Sequence, residues 1–335
     1  MTRKAVAKSE SLLVKQTSDG LHLANSILWL DAQDSGDLSF LSSATVAHQP
    51  RVPQVIATEE TVKILEALRK KPQALVCQYN RPFSIGRLRM ELLPSGCVLG
   101  GASLYLETDK GRLLYAPQLQ PHRVSTVRQM QLKRAYTLIL GASQPDPNYV
   151  LPNRKKEKER LLEAALACLA RGQDPLVLCD QVATAQELTK LFCDTGLAVA
   201  VHETIFKLNN VYEAYGSKLG PYSRYNRRHT RQKVMIFPLP GRRGWPLRAV
   251  LPQGPLLVVD GTAEESLPPS PYSDVVGRFV IASSCDGTEI REIITAVSPR
   301  ELYVFGPYAK RYVDELQGIC PVIRPLFPND QPTLF

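Results

Sequence analysis

The sequence predicts an α/β fold in two unlike parts, on three observations. The first 150 residues are dominated by short apolar runs bounded by turn signals. From about residue 155, strand-like runs alternate with amphipathic helical stretches. That alternation is interrupted once, between residues 214 and 259, by a basic window without a single acidic residue, and then resumes.

Taken in order, the first ten residues are polar. Apolar runs at 11–14, 21–30 and 38–41, separated by Asp-Gly and Ser-Gly, predict an antiparallel meander. Val62, Leu65 and Leu68 fall on one face of a helix over 59–70, with Thr58 or Thr61 as its cap. Strands are expected at 74–78, 88–93, 102–107, 113–116 and 137–140. Beyond Pro152, Leu162, Ala165, Leu166 and Leu169 give 155–170 the apolar face of a long helix that Gly172 stops. A strand at 175–180, a helix at 183–192, a strand at 197–202 and a helix at 205–215 follow, in the order of a parallel unit with right-handed crossovers. The basic window is rich in proline and glycine, which predicts no long regular element inside it. After it come strands at 256–259 and 278–283, a helix at 288–297, a strand at 302–305, a helix at 308–316 and a strand at 322–326.

At 335 residues, 44% hydrophobic and 22% charged, the chain can bury a core without covalent staples. Its seven cysteines are scattered and include no Cys-x-x-Cys pair, which argues against a disulfide framework or a cysteine zinc knuckle and for a reducing compartment. The basic N-terminus has no apolar segment behind it, and nowhere do 18 apolar residues run together. A cytoplasmic protein with no membrane partner is expected.

The net charge of +9 is local: Lys218, Arg224, Arg227, Arg228, Arg231, Lys233, Arg242, Arg243 and Arg248 all lie in the acid-free window, and the charges outside it cancel. Tyr222, Tyr225, Phe237 and Trp245 are interleaved with them. An arginine-rich surface loop is often just a solvated face. Arginine also pairs with phosphate oxygens and aromatic rings stack on bases, so the combination suits binding of a nucleic-acid strand, DNA or RNA, without sequence specificity.

Several stretches carry a resemblance over nearly the whole chain. Residues 40–50 read FLSSATVAHQP, residues 93–102 LPSGCVLGGA, residues 183–191 ATAQELTKL, residues 209–216 NNVYEAYG, residues 282–286 ASSCD and residues 304–307 VFGP. In that order they resemble the motifs of bacterial exonucleases of the metallo-β-lactamase fold associated with DNA ligase, relatives of the mRNA 3′-end-processing endonuclease. The resemblance implies an αββα sandwich built from residues 1–151 and 253–335. A β-CASP-like cap is inserted at 152–252 and carries the basic segment 214–252.

In active members of such a family, histidines and aspartates hold two zinc ions that generate hydroxide from bound water. Where the first motif would supply His, His, Asp and His, this chain has Ser43, Thr45, Ala47 and His48. The next histidine falls at Cys97, the bridging aspartate at Gln118 and the acid that opens the cap at Gly141. Ser283 and Ser284 stand for a later Asp-His pair, and Phe305 for the last histidine. The five histidines of the chain, His22, His48, His122, His202 and His229, rebuild no cluster.

The resemblance therefore implies a catalytically inactive relative, without cofactor, that binds nucleic acid or a partner: an active paralogue, a ligase or a helicase. Two alternatives stand beside it. One is a metal-dependent hydrolase with a site rebuilt from His48, Cys97, Cys285 and Asp286, and the other is a pure protein-interaction scaffold. Read blandly, Cys97 is a small buried hydrophobe, His202 is structural and Asp286 bonds a loop.

Overall fold

A computed structural model describes residues 14–17, 19–32, 37–45, 54–109, 111–228, 232–239, 251–261 and 275–326. Among these, the strands form three sheets. The first runs in the order β1 (Val14–Thr17), β2 (Gly20–Leu23), β3 (Leu28–Leu30), β4 (Leu38–Phe40), β5 (Gln54–Ala57) and β6 (Ala74–Val76). The second runs β7 (Phe83–Ile85), β8 (Leu88–Pro94), β9 (Ala102–Thr108), β10 (Gly111–Ala116), β11 (Thr137–Gly141), β18 (Glu301–Phe305) and β19 (Val322–Pro325). Both ends of the chain thus contribute to one body.

These two sheets face each other. Leu28, Leu30, Phe40 and Ile56 of the first pack against Leu92, Leu104, Tyr115 and Ile139 of the second, all essentially without exposed surface. Each sheet has a helical layer outside it. On the first lies α1 (Glu59–Ala67), through Val62, Ile64 and Leu65 against Val55 and Ala57. On the second lie α5 (Gly287–Val297) and α6 (Ala309–Glu315), through Ile290, Ile294 and Tyr312 against Leu114, Leu138 and Leu302. The result is a four-layer sandwich of helix, sheet, sheet and helix.

The helix starts follow from sequence. Thr58 caps α1 by accepting from the Thr61 N–H at 3.2 Å, and Asp286 opens α5 in a reciprocal capping box with Glu289. The expected antiparallel meander is only half correct. β1, β2 and β3 pair antiparallel, but β4 lies parallel to β3 with Leu28 opposite Leu38. Turn signals mark where a strand stops and carry no information about the direction of its next neighbour.

Between β11 and α5 the chain builds a second body. Its sheet is wholly parallel, in the order β14 (Tyr222–Arg224), β13 (Val199–Val201), β15 (Val234–Pro238), β12 (Leu176–Cys179), β16 (Leu256–Asp260) and β17 (Val275–Val280). One face is covered by α2 (Arg154–Ala170), α3 (Thr184–Asp194) and α4 (Glu203–Ala214).

One expectation changes here. The cap does not close at 252, because β16 pairs with β12 and β17 with β16, so its sheet extends to Val280. Among its described residues the basic window has only short elements, as expected, but one of them, β15, is a buried strand between β13 and β12. Its proline and glycine neighbours hide a five-residue apolar run that only pairing on both sides stabilises.

Candidate functional site

A cleft of about 440 Å³ separates the two bodies. From the cap, the carboxyl ends of β12 and β15 supply Asp180, Gln181, Val182, Ala183, Pro238 and Leu239. From the sandwich come Ala44 and Thr45 after β4, Leu68 and Lys70 after α1, Cys97 and Val98 after β8, and Gln118 after β10, while Ser283 lies in the bend between β17 and α5. Strand ends of a parallel sheet are where such proteins place ligands, because the loops diverge there and leave an opening.

Tertiary structure brings together four of the positions singled out in sequence: Thr45, Cys97, Gln118 and Ser283 line this one cleft. Ser43 joins them through a hydroxyl–hydroxyl hydrogen bond to Thr45 (2.8 Å), and the Thr45 hydroxyl donates to the Gln118 carbonyl oxygen (3.3 Å). Ser284 faces an adjoining hollow and accepts from the Gln144 amide at 3.2 Å. Ala47 and His48 lie outside the described residues.

The donor set does not fit two zinc ions. Among the described residues the motif positions carry hydroxyls, an amide and one thiol, Cys97, which burial pushes up to about 12, in place of the imidazoles and carboxylates that hold zinc. Cys285, raised well above its usual range by burial, donates to the Leu119 carbonyl at 2.9 Å. Gly141 has no room for an acid, since a Cβ there would stand 2.2 Å from the Pro117 carbonyl oxygen. Phe305 stacks on Tyr115 with ring centroids 5.7 Å apart. Among the described residues no three His, Cys, Asp or Glu side chains are grouped to hold a metal.

A pair of carboxylates in the cap went unnoticed in sequence. Asp180 and Asp260 each follow an apolar strand, in LVLCD and LLVVD, and that repeated ending was the signal. Although Asp180 as a residue is exposed, its carboxylate sits in the cleft wall, where desolvation first and Asp260 second push it up to about 6. Ala183 adopts φ 73° and ψ −68°, with the Thr184 N–H bonded to the Val182 carbonyl at 3.1 Å, a tight three-residue turn rarely taken by a residue with a Cβ.

The seam behind the cleft is heavily hydrogen-bonded. Arg154 bridges Glu187 of α3 and the Ala282 carbonyl, and the buried Gln120 amide donates to the same carbonyl at 2.9 Å. Asp286 accepts from the Leu151 N–H (3.0 Å) while it caps α5. Asp286 therefore does bond a loop.

The basic window is spread out. Lys218 and Lys233 precede β14 and β15, at the amino edge of the cap sheet. Arg224 pairs with Glu203 at 3.1 Å. Arg227 and Arg228 are exposed after β14, at the carboxyl edge, on the side of the cleft. Beside them Tyr225 and His202 pack edge-on to Phe237, at 5.0 and 5.1 Å. His202 also caps α4, and burial lowers its pKa, so it serves structure as a neutral ring. Arg231, Arg242, Arg243 and Arg248 lie outside the described residues.

No family model matches this chain. A curated protein named probable DNA ligase, from Opitutus terrae, is 23% identical over 307 residues, which cover 90% of this chain but 30% of that protein. The chain therefore spans less than a third of the length of this relative. Among solved structures, a protein of unknown function from Enterococcus faecalis V583 superposes with a TM-score of 0.60 at 13% identity, over 87% of this chain and 79% of that one. This is a likeness of fold alone. No helix among the described residues is long and apolar enough to cross a membrane.

Proposed function

We propose that this protein is a catalytically silent relative of the metallo-β-lactamase/β-CASP nucleases that holds nucleic acid for a partner, with a DNA ligase as the favoured partner. The four-layer sandwich with a parallel cap inserted before its last strands supports the family reading. One observation carries it: Thr45, Cys97, Gln118 and Ser283, four positions where the resemblance calls for metal or acid groups, converge on one cleft with neutral side chains. Convergence supports a common ancestry for the cleft, and the neutral donors argue against zinc hydrolysis. The ligase partner is supported by the name of the Opitutus relative, which joins a region similar to this chain to a much longer protein.

In this reading the strand enters over Arg227 and Arg228, stacks near Tyr225 and lies along the cleft. Phosphate pairing provides affinity without sequence preference, so binding falls steeply with salt. The test combines two measurements on protein purified without a histidine tag. Fluorescence anisotropy with single-stranded DNA and RNA should show salt-sensitive binding, and end-labelled DNA incubated with zinc or manganese should stay intact. Degradation that disappears in Cys97→Ala overturns the silent reading in favour of a rebuilt hydrolase. Unchanged binding in Arg227→Glu/Arg228→Glu, together with capture of an acidic protein, favours a scaffold.

A further inference from the structure

The second sheet of the sandwich ends, on the side away from the cleft, in a row of exposed side chains. Leu114, Leu138 and Leu302 stand opposite one another on β10, β11 and β18 and are buried under α5 and α6. Two residues earlier on each strand, and so on the same face, come Arg112, Tyr136 and Arg300, all exposed. Backbone bonds fix their alignment. The Tyr136 N–H donates to the Arg112 carbonyl at 2.8 Å, and the Arg300 N–H to the Tyr136 carbonyl at 2.9 Å. With neighbouring strands about 4.8 Å apart, the two arginines flank the tyrosine at about 10 Å from each other.

Three features set this row apart from an ordinary solvated edge. Tyr136 is the one exposed aromatic side chain among the described residues, at 41%, whereas Tyr222 and Tyr225 of the basic window are half-buried and pack edge-on to Phe206 and Phe237. Surface cations elsewhere pair with nearby acids, as Lys63 does with Glu66 and Arg291 with Glu315, but among the described residues no ion pair holds Arg112 or Arg300. The acid on this row, Glu107 of β9, stands opposite Arg112 and is followed across β8 by Arg89, one residue before the Met90–Leu106 pair, so three arginines face one carboxylate. Finally, the segment that supplies Arg112 and Tyr136 has six cations and no acid from Lys110 to Pro145.

We infer that Arg112, Tyr136 and Arg300 form a second nucleic-acid contact, in which a base of a single strand stacks on Tyr136 while the phosphates on either side pair with the two guanidinium groups. An exposed ring between two unpaired arginines matches base and backbone together, whether the sugar is deoxyribose or ribose. An acidic peptide would satisfy the arginines and leave the ring without a role. Gln118, in the cleft, follows Arg112 by six residues along β10 and the loop after it, which puts the row about 20 Å from the cleft. The row shares its ligand class with the reading above but none of its residues, so either can fail alone.

The experiment is a salt series of anisotropy titrations with labelled single strands of DNA and of RNA in one sequence, and with labelled poly-glutamate as a peptide polyanion. It compares wild type, Arg112→Gln/Arg300→Gln, Tyr136→Leu, Tyr136→Phe and Arg227→Glu/Arg228→Glu. The Arg112→Gln/Arg300→Gln plot of log affinity against log salt should flatten by about 1.4, from roughly 0.7 per phosphate contact on a single strand. Tyr136→Leu should bind at least about fivefold more weakly, the lower end for one lost stack, while Tyr136→Phe keeps the ring and binds as wild type does. An iodouracil strand irradiated on wild type should crosslink to Tyr136, which reads the contact without any variant. The nucleic acid held more tightly by wild type identifies the source of the backbone. Wild-type affinity and slope in Arg112→Gln/Arg300→Gln, alongside a weakened Arg227→Glu/Arg228→Glu, overturns this inference and leaves the nucleic-acid reading standing. Weakening in the row variants alone supports this contact and removes Arg227 and Arg228 from the reading above. Wild type that binds neither nucleic acid overturns both, and poly-glutamate held through the row in that case makes it a protein contact.

Discussion

Asp180 and Asp260 end neighbouring parallel strands of the cap, each two residues beyond the pairing of Leu178 with Val258. Two like charges are thereby held side by side at the carboxyl edge that faces the cleft. Desolvation and this neighbour together raise Asp180 to about 6, from an ordinary 3.8.

The sign of the resulting pH dependence follows directly. A carboxyl group whose pKa is higher folded than unfolded binds its proton more tightly in the folded state. Its contribution to stability is complete below about 3.8 and is lost as pH rises through about 6. Asp180→Asn should remove that loss and melt higher than wild type at pH 7, by less than about 1 kcal/mol because the residue is exposed and screened. Denaturation midpoints at pH 4.5 and 7 for both proteins check it; equal differences at the two values would contradict the assignment.

Ala183 stores strain at φ 73° where α3 begins. Ala183→Gly should stabilise the protein by about 1 kcal/mol, the relief of a left-handed Cβ less the extra chain entropy of glycine. Chemical denaturation measures it, and a lower midpoint would show that the turn is not strained.

Placing at Gly141 the acid that the resemblance calls for should fail. The position for a Cβ lies 2.2 Å from the Pro117 carbonyl oxygen, so Gly141→Asp must move the backbone after β10. A cost of about 2 kcal/mol or more is expected from such overpacking, with no gain in zinc content by elemental analysis. Stability equal to wild type would mean that the loop gives way freely.

Asp286 has two tasks, capping α5 through the Glu289 N–H at 2.9 Å and holding the Leu151 N–H at 3.0 Å. Asp286→Ala should cost about 2 kcal/mol, a lost cap plus an unpaired N–H in the seam. Hydrogen exchange should quicken both at the start of α5 and around Leu151. Faster exchange confined to α5 would show that the cap linker does not depend on this residue.

Local patterns made much of this legible. The spacing of Val62 and Leu65 marked α1, the apolar run at 175–180 marked β12, and the alternation after residue 155 marked a parallel unit, because burial of one helix face or of a whole strand leaves a direct trace in residue order. The same patterns failed for β15, whose apolar run sits among proline and arginine, and for the direction of β4, which depends on its neighbour alone.

The sequence by itself determined the class of fold, a helix over 59–70 capped at Thr58 or Thr61, and the absence of charge-bearing ligands at Thr45, Cys97, Gln118 and Ser283. Only tertiary structure decided that these four side chains meet in one cleft, that β16 and β17 belong to the cap, and that Arg112, Tyr136 and Arg300 stand in one row. The division has a physical cause. Periodicity and capping act over a few residues, whereas a cleft is set by strand order and by packing between segments more than a hundred residues apart, and the chain order of a single sequence does not record either.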